Sequence, residues 1–162
     1  MRILLKNFKF SFKLALFIFL ALNNLFSSDP QISDSNDEDF IKESLARYFI
    51  EVDNKNTEGM LNFFEFPLIM NFESKQPLYL KDENEVMEVF DTWKNSGKAN
   101  FFRTNIDKIE YTEIHNDFMW VVDVTFSRLD NKEKTLSTNR SLYYYLKKDR
   151  WKIYMISSLE LE

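Results

Sequence analysis

RSLYYYLKKDRWKIYMIS, residues 140–157, decides the fold. Two runs rich in aromatic and β-branched residues flank the charged break Lys148-Asp149, which reads as a hairpin of two antiparallel strands. A turn centred on that break pairs Leu146 with Trp151, Tyr144 with Ile153, Leu142 with Met155 and Arg140 with Ser157, and puts these residues on one face. In the run before it, which contains VVDVTFSR (121–128), the apolar face is Trp120, Val122, Val124 and Phe126. A three-residue loop, Asp130 to Lys132, brings that face to the same side and sets Val122 opposite Arg140. The other face then carries Val121, Asp123, Thr125, Tyr143, Tyr145, Tyr154 and Ile156.

Outward from this hairpin, four extended runs are expected, at about 101–114, 118–129, 134–147 and 151–160. Upstream of Phe101 the period is helical. Phe40, Ile41, Leu45, Tyr48, Phe49 and Val52 recur at three- and four-residue spacing after the capping residue Asp37, which predicts an amphipathic helix from about Glu38. A short helix from Thr57 turns Met60, Leu61, Phe63 and Phe64 inward and stops at Pro67. Leu68 to Phe72 and Leu78 to Leu80 read as extended. A third helix starts at Asp82, with Glu85 as its capping-box partner and Gly97 at its left-handed end. Helices followed by a meander of long strands make an α+β domain.

The first 28 residues carry Arg2, Lys6, Lys9, Lys13 and no acid, then the apolar run Leu14 to Leu22, then Ser27 and Ser28. That layout predicts a signal peptide at 1–28, cleaved near Ser27-Ser28, a flexible leader at 29–37 and a domain at 38–162, periplasmic or secreted. The alternative is a membrane anchor formed by residues 14–26. Apart from the first 28 residues, the chain holds 17 bases against 26 acids, a net charge of −9. Such a surface repels phosphate backbones and argues against nucleic-acid binding. The absence of cysteine removes disulfides and thiolate chemistry. Two glycines, 38 residues apart, cannot make a dinucleotide or P-loop phosphate cradle, and a lone histidine cannot build a zinc site with cysteines missing. No cofactor and no metal is expected.

Several stretches resemble the nuclear transport factor 2-like superfamily, which includes ketosteroid isomerases, scytalone dehydratase and SnoaL-like cyclases. They are FIKESLARYFIEVDNKNTEGMLNFFEFPLIM (40–70), the helix at 82–95, VVDVTFSR and the closing hairpin. The resemblance covers about 38–160. It implies a cone: three N-terminal helices packed in the concave face of a strongly bent, mostly antiparallel sheet, with a pocket at one end. The isomerases use an acid as base and a tyrosine with a second acid as oxyanion donors. Tyr48 is the nearest match to that tyrosine, but Asp123 points outward and no inner acid is placed. Dehydratase chemistry uses histidines, and His115 falls in a predicted turn.

The expected pocket residues are Tyr48, Phe64, Phe66, Trp93, Trp120, Val122, Phe126, Arg140, Leu142 and Tyr144. Arg140, facing inward, needs a partner. That partner is either a structural acid such as Glu51, Glu65 or Glu110, or the carboxylate of a small apolar ligand. The expected function is non-enzymatic binding of a small apolar or amphipathic molecule, or of a protein partner. The alternatives are a lyase or isomerase on a small hydrophobic substrate, with Tyr48 in its site, and a cone filled solid by its own aromatics. The outer patch Val121, Tyr143, Tyr145, Tyr154 and Ile156 suggests a homodimer, as many members of the resembled superfamily pair through this surface.

Overall fold

A computed structural model describes residues 37–72 and 76–161. The expected signal segment and all of the leader except Asp37 lie outside the described residues. Among the described residues no helix is long and apolar enough to cross a membrane.

Three helices precede most of the sheet: α1 (Asp37–Asp53), α2 (Thr57–Leu61) and α3 (Glu83–Asn95). The strands are β1 (Phe64–Phe72), β2 (Leu78–Leu80), β3 (Arg103–His115), β4 (Met119–Leu129), β5 (Thr135–Lys147) and β6 (Trp151–Leu161). One six-stranded sheet runs β2-β1-β6-β5-β4-β3. It is antiparallel except where β1 lies parallel to β6. This is the expected α+β architecture. The predicted face of α1 holds for Ile41, Leu45, Tyr48, Phe49 and Val52, all buried, but not for Phe40, which is exposed in the first turn. Asp82 caps α3 by accepting from the amides of Asn84 and Glu85, at 2.9 and 3.2 Å. Gly97 ends that helix at φ +81°, the left-handed region glycine enters without strain. Lys147 Nζ lies 3.0 Å from both carboxylate oxygens of Asp37 and ties the start of α1 to β5.

Two expectations need correction. Phe64, expected in α2, opens β1 instead. Pro67 is no helix stop: it sits between Phe64 and Ile69, where the pairing of β1 with β6 shifts register, and a strand accepts proline at such an irregularity. The second correction is larger. Lys147 pairs with Trp151, so the β5–β6 loop is Lys148–Arg150, three residues. The β4–β5 loop is also longer than expected, since Leu129 pairs with Thr135 and the register shifts beside it. Side chains alternate along a strand, so a one-residue slip turns every one of them over. Val122 lies opposite Tyr143, not Arg140. Tyr143, Tyr145 and Ile156, expected outside, are buried inside, while Leu142, Tyr144 and Arg140 face out. A second shift, at Tyr144/Tyr145, lets Trp151, Ile153 and Ile156 all reach the core.

Candidate functional site

Arg140 is therefore not a pocket residue. Its side chain is 50% exposed, and Nε and Nη2 donate to Asp123 at 2.9 and 2.5 Å on the outer face. Neither expected partner of an inward Arg140 applies: the side chain faces out and its acid is Asp123, not Glu51, Glu65 or Glu110. An exposed pair of this kind adds little to stability, because water screens it.

The cone is open. A cavity of about 510 Å³ lies between the helices and the inner sheet face. Tyr48, Met60, Phe90 and Trp93 line its helical side, and Met70, Phe126, Tyr143 and Ile156 its sheet side. Of the expected pocket residues, Tyr48, Trp93 and Phe126 line the cavity. Phe64, Trp120 and Val122 are buried in the core around it, and Phe66 is half-buried at the core's edge. Leu142 and Tyr144 lie on the far side of the sheet. His115 is exposed, at the end of β3.

The inward cation is Arg128. It continues the alternation Trp120, Val122, Val124, Phe126 by one more step, and that period is visible in the sequence. Its guanidinium carbon stands 4.1 Å from the Phe101 ring centre and 4.7 Å from that of Phe126. Guanidinium planes pack well on aromatic faces. Nη1 donates to Thr104 Oγ1 and lies 3.5 Å from Asp53 Oδ1. Asp53, the last residue of α1, accepts from Thr104 N at 3.0 Å and Thr104 Oγ1 at 2.5 Å. Lys55 closes the same corner: Nζ donates to the carbonyls of Asp53 and Phe101, at 2.8 and 2.9 Å, and sits 3.6 Å from the Phe101 ring centre. One edge of Arg128 is thus held by structure. Among the described residues only Nη1 of this guanidinium makes a polar side-chain contact; Nε and Nη2 are open to water, and the side chain borders the cavity.

Burial sets the charge state of the lining. It pushes the Tyr48 phenol well above its ordinary value; Tyr143 nearby acts in the same direction and Arg128 against it. Burial pushes Tyr143 up to about 12, again opposed by Arg128. Both remain neutral hydrogen-bond donors under ordinary conditions. Burial also draws Arg128 below the usual arginine range, but arginine starts so high that the charge persists. Of the residues lining the cavity only Glu160 carries a carboxylate, at the rim beside Lys98, 4.0 Å away. The described residues hold no cluster of metal-ligating side chains.

The family profile described as NTF2-like protein (DUF6841) matches residues 37–160. Comparison with curated proteins gives no match. Among solved structures, the chain is similar to a domain of unknown function with a cystatin-like fold from Nostoc punctiforme: TM-score 0.62, 16% identity, 79% of each chain covered. It is similar to an NTF2-like protein of unknown function from Shewanella oneidensis: TM-score 0.58, 17% identity, 75% of this chain and 97% of that one. A candidate ketosteroid isomerase from Parabacteroides distasonis gives a TM-score of 0.60 at 8% identity over 82% and 93% of the two chains. At these identities the structures speak to the fold alone, and the fold they share is the cone described above. Together with the profile match over nearly all the described residues, this shows that the chain belongs to the NTF2-like protein (DUF6841) family.

Proposed function

We propose that the protein binds, inside its cone, a small apolar or amphipathic molecule carrying one anionic group, and that Arg128 anchors that group. The observation that carries this reading is the unpaired edge of a half-buried guanidinium at the border of an aromatic cavity. That edge is met by water, which a ligand anion can displace. Asp53 and Thr104 meet one edge, and a ligand carboxylate meets the other as a charge-assisted, fork-shaped contact. The two neutral phenols add donors and no competing negative charge.

Calorimetric titration with aromatic and fatty acids tests this. Arg128→Met is expected to weaken acid binding by about 2 kcal/mol, roughly 30-fold. Asp53 keeps its two bonds from Thr104 in that variant, so the fold survives, which a melting curve checks. Arg140→Met, on the outer face, serves as the control and leaves binding unchanged. Equal affinity of wild type and Arg128→Met for every acid that binds overturns the anchor.

A lyase or isomerase is the second reading. It is favoured by the phenols of Tyr48 and Tyr143, which suit an oxygen that gains charge, and by the likeness in fold to the candidate isomerase from Parabacteroides. It also needs a base. Glu160, the carboxylate available in the lining, stands at the rim among residues that can pair with it, so binding without turnover is the better-supported reading.

We also propose that two copies of the chain pair through the outer sheet face. The corrected register changes the patch. Tyr143, Tyr145 and Ile156 leave it, Val121 and Tyr154 stay, and Leu142, Tyr144, Leu146 and Met155 join. These side chains are half-buried and contiguous: the Tyr144 and Tyr154 rings meet edge to face at 6.2 Å. The neighbouring Asp123–Arg140 pair offers both signs of charge to a symmetric copy. Sedimentation at micromolar concentration is expected to show a dimer, and Tyr144→Asp a folded monomer. A monomeric wild type refutes the pairing.

A further inference from the structure

The inner face of the sheet changes character from one cross-strand row to the next. Trp120 and Tyr145 face each other in one row, and Val122, Tyr143 and Ile156 in the next. Then come Val124, Ser141 and Ser158, then Phe126, Asn139 and Glu160, and last Arg128 and Ser137. The deep rows are apolar. Towards the mouth, β5 and β6 present hydroxyls and an amide to the cavity, while Phe90, Trp93 and Phe101 line it from the helical side.

The polar groups of this strip are only partly used. Ser141 and Ser158 hydroxyls lie 2.7 Å apart, and Ser141 also hydrogen-bonds the Tyr143 phenol, so Ser158 donates to Ser141 and its own oxygen is left to accept. Asn139 Nδ2 donates to Ser137 Oγ at 3.0 Å, which leaves the amide oxygen and the Ser137 proton. Ser141 is 1% exposed. A hydroxyl in such a place costs stability unless it bonds, and a wall shaped for packing alone would have continued the apolar rows.

We propose that this strip selects the ligand of the cone: an aromatic carboxylic acid that carries a hydroxyl group at the end of the molecule away from its carboxylate. The inference rests on Arg128 as the anchor of the acid. With the carboxylate on Arg128, the ring lies between the sheet and the aromatic side chains, and the ligand hydroxyl meets the Ser141–Ser158 pair. From Ser137 to Ser141 the strand advances about 13 Å, enough for a phenylpropenoic acid or a two-ring acid.

Cinnamate and p-coumarate differ by that one hydroxyl and are the probes, titrated by calorimetry against the full-length protein. Wild type is expected to bind p-coumarate about five- to tenfold more tightly than cinnamate. The Ser141→Ala/Ser158→Ala double variant is expected to bind the two acids equally, with cinnamate affinity as in wild type. Equal binding of both acids by wild type, or a preference that survives in the double variant, overturns the strip. Loss of both acids in Arg128→Met alongside such a result leaves the anchor standing, so the two readings fail separately. Binding of neither acid by wild type counts against both.

Discussion

Tyr145→Ala will destabilise the domain by about 3–5 kcal/mol, whereas Tyr144→Ala will cost about 1 kcal/mol or less. The two residues are adjacent and chemically identical, so the difference comes from which side of β5 each occupies. Tyr145 is 0% exposed. It lies across from Trp120 on one side and Ile153 on the other, and its ring fills the apolar end of the cone. Truncation there removes a large buried area and leaves a void that rigid strands close poorly. Tyr144 touches Tyr154 on the outer face, and water reaches the rest of it. Urea denaturation at a protein concentration too low for pairing measures both. For a domain of this size, a loss of 3–5 kcal/mol is a large share of the whole stability, about 5–15 kcal/mol. Equal losses in the two variants would refute the strand faces described above.

That same pair of residues shows where the sequence stops being legible. The helices can be read because their apolar residues recur at a spacing only a helix brings to one side, and Asp82 with Glu85 marks where α3 begins. The strands can be counted for a similar reason. Their faces cannot, because Leu142-Tyr143-Tyr144-Tyr145-Leu146 is apolar on both parities, and the hydrophobic pattern has no preference between them. The choice falls on the number of loop residues, and Lys148–Arg150 holds one more than the charge pattern suggests on its own. One signal in the sequence favours the observed parity. Asp123, outward on β4, is diagonal to Arg140 when that residue also faces out, a favourable cross-strand charge pair. With that pair taken into account, Arg140 moves outside and Tyr143 joins Tyr48 in the cavity, while Arg128 keeps the inner face that β4 already gave it. The cavity itself is legible only as a possibility. Whether aromatic side chains fill a cone or line it depends on the curvature of the sheet and on the loop before β3, and neither has a periodic signature.

The phenols so placed make the domain sensitive to alkali. The contribution of these phenols to stability is expected to be complete below pH 10 and to be lost steeply above it. Burial raises the folded-state pKa of Tyr143 from 10.0 to about 12 and moves Tyr48 and Tyr145 upward as well. In the unfolded chain these phenols ionise near 10.0. Above that pH the unfolded state releases protons that the folded state still holds, so the equilibrium moves towards unfolding. A raised folded pKa thus contributes stability that is complete below the unfolded value and is lost as pH climbs through the folded one. A tenfold difference in proton affinity between the two states corresponds to about 1.4 kcal/mol, so Tyr143 alone accounts for roughly 3 kcal/mol between pH 10 and pH 12. Urea denaturation as a function of pH measures the total, and phenolate absorbance of the native protein counts which tyrosines resist ionisation. Tyr143→Phe isolates the contribution: its stability should fall less steeply above pH 10 by about one proton's worth of slope. A native protein in which every tyrosine ionises near pH 10 while still folded would overturn the burial of all three. The result also bears on the cavity. Phenols that hold their protons to such high pH cannot serve as bases at neutrality, and they bring no negative charge of their own into the cavity that Arg128 borders, which agrees with the anionic ligand proposed for it.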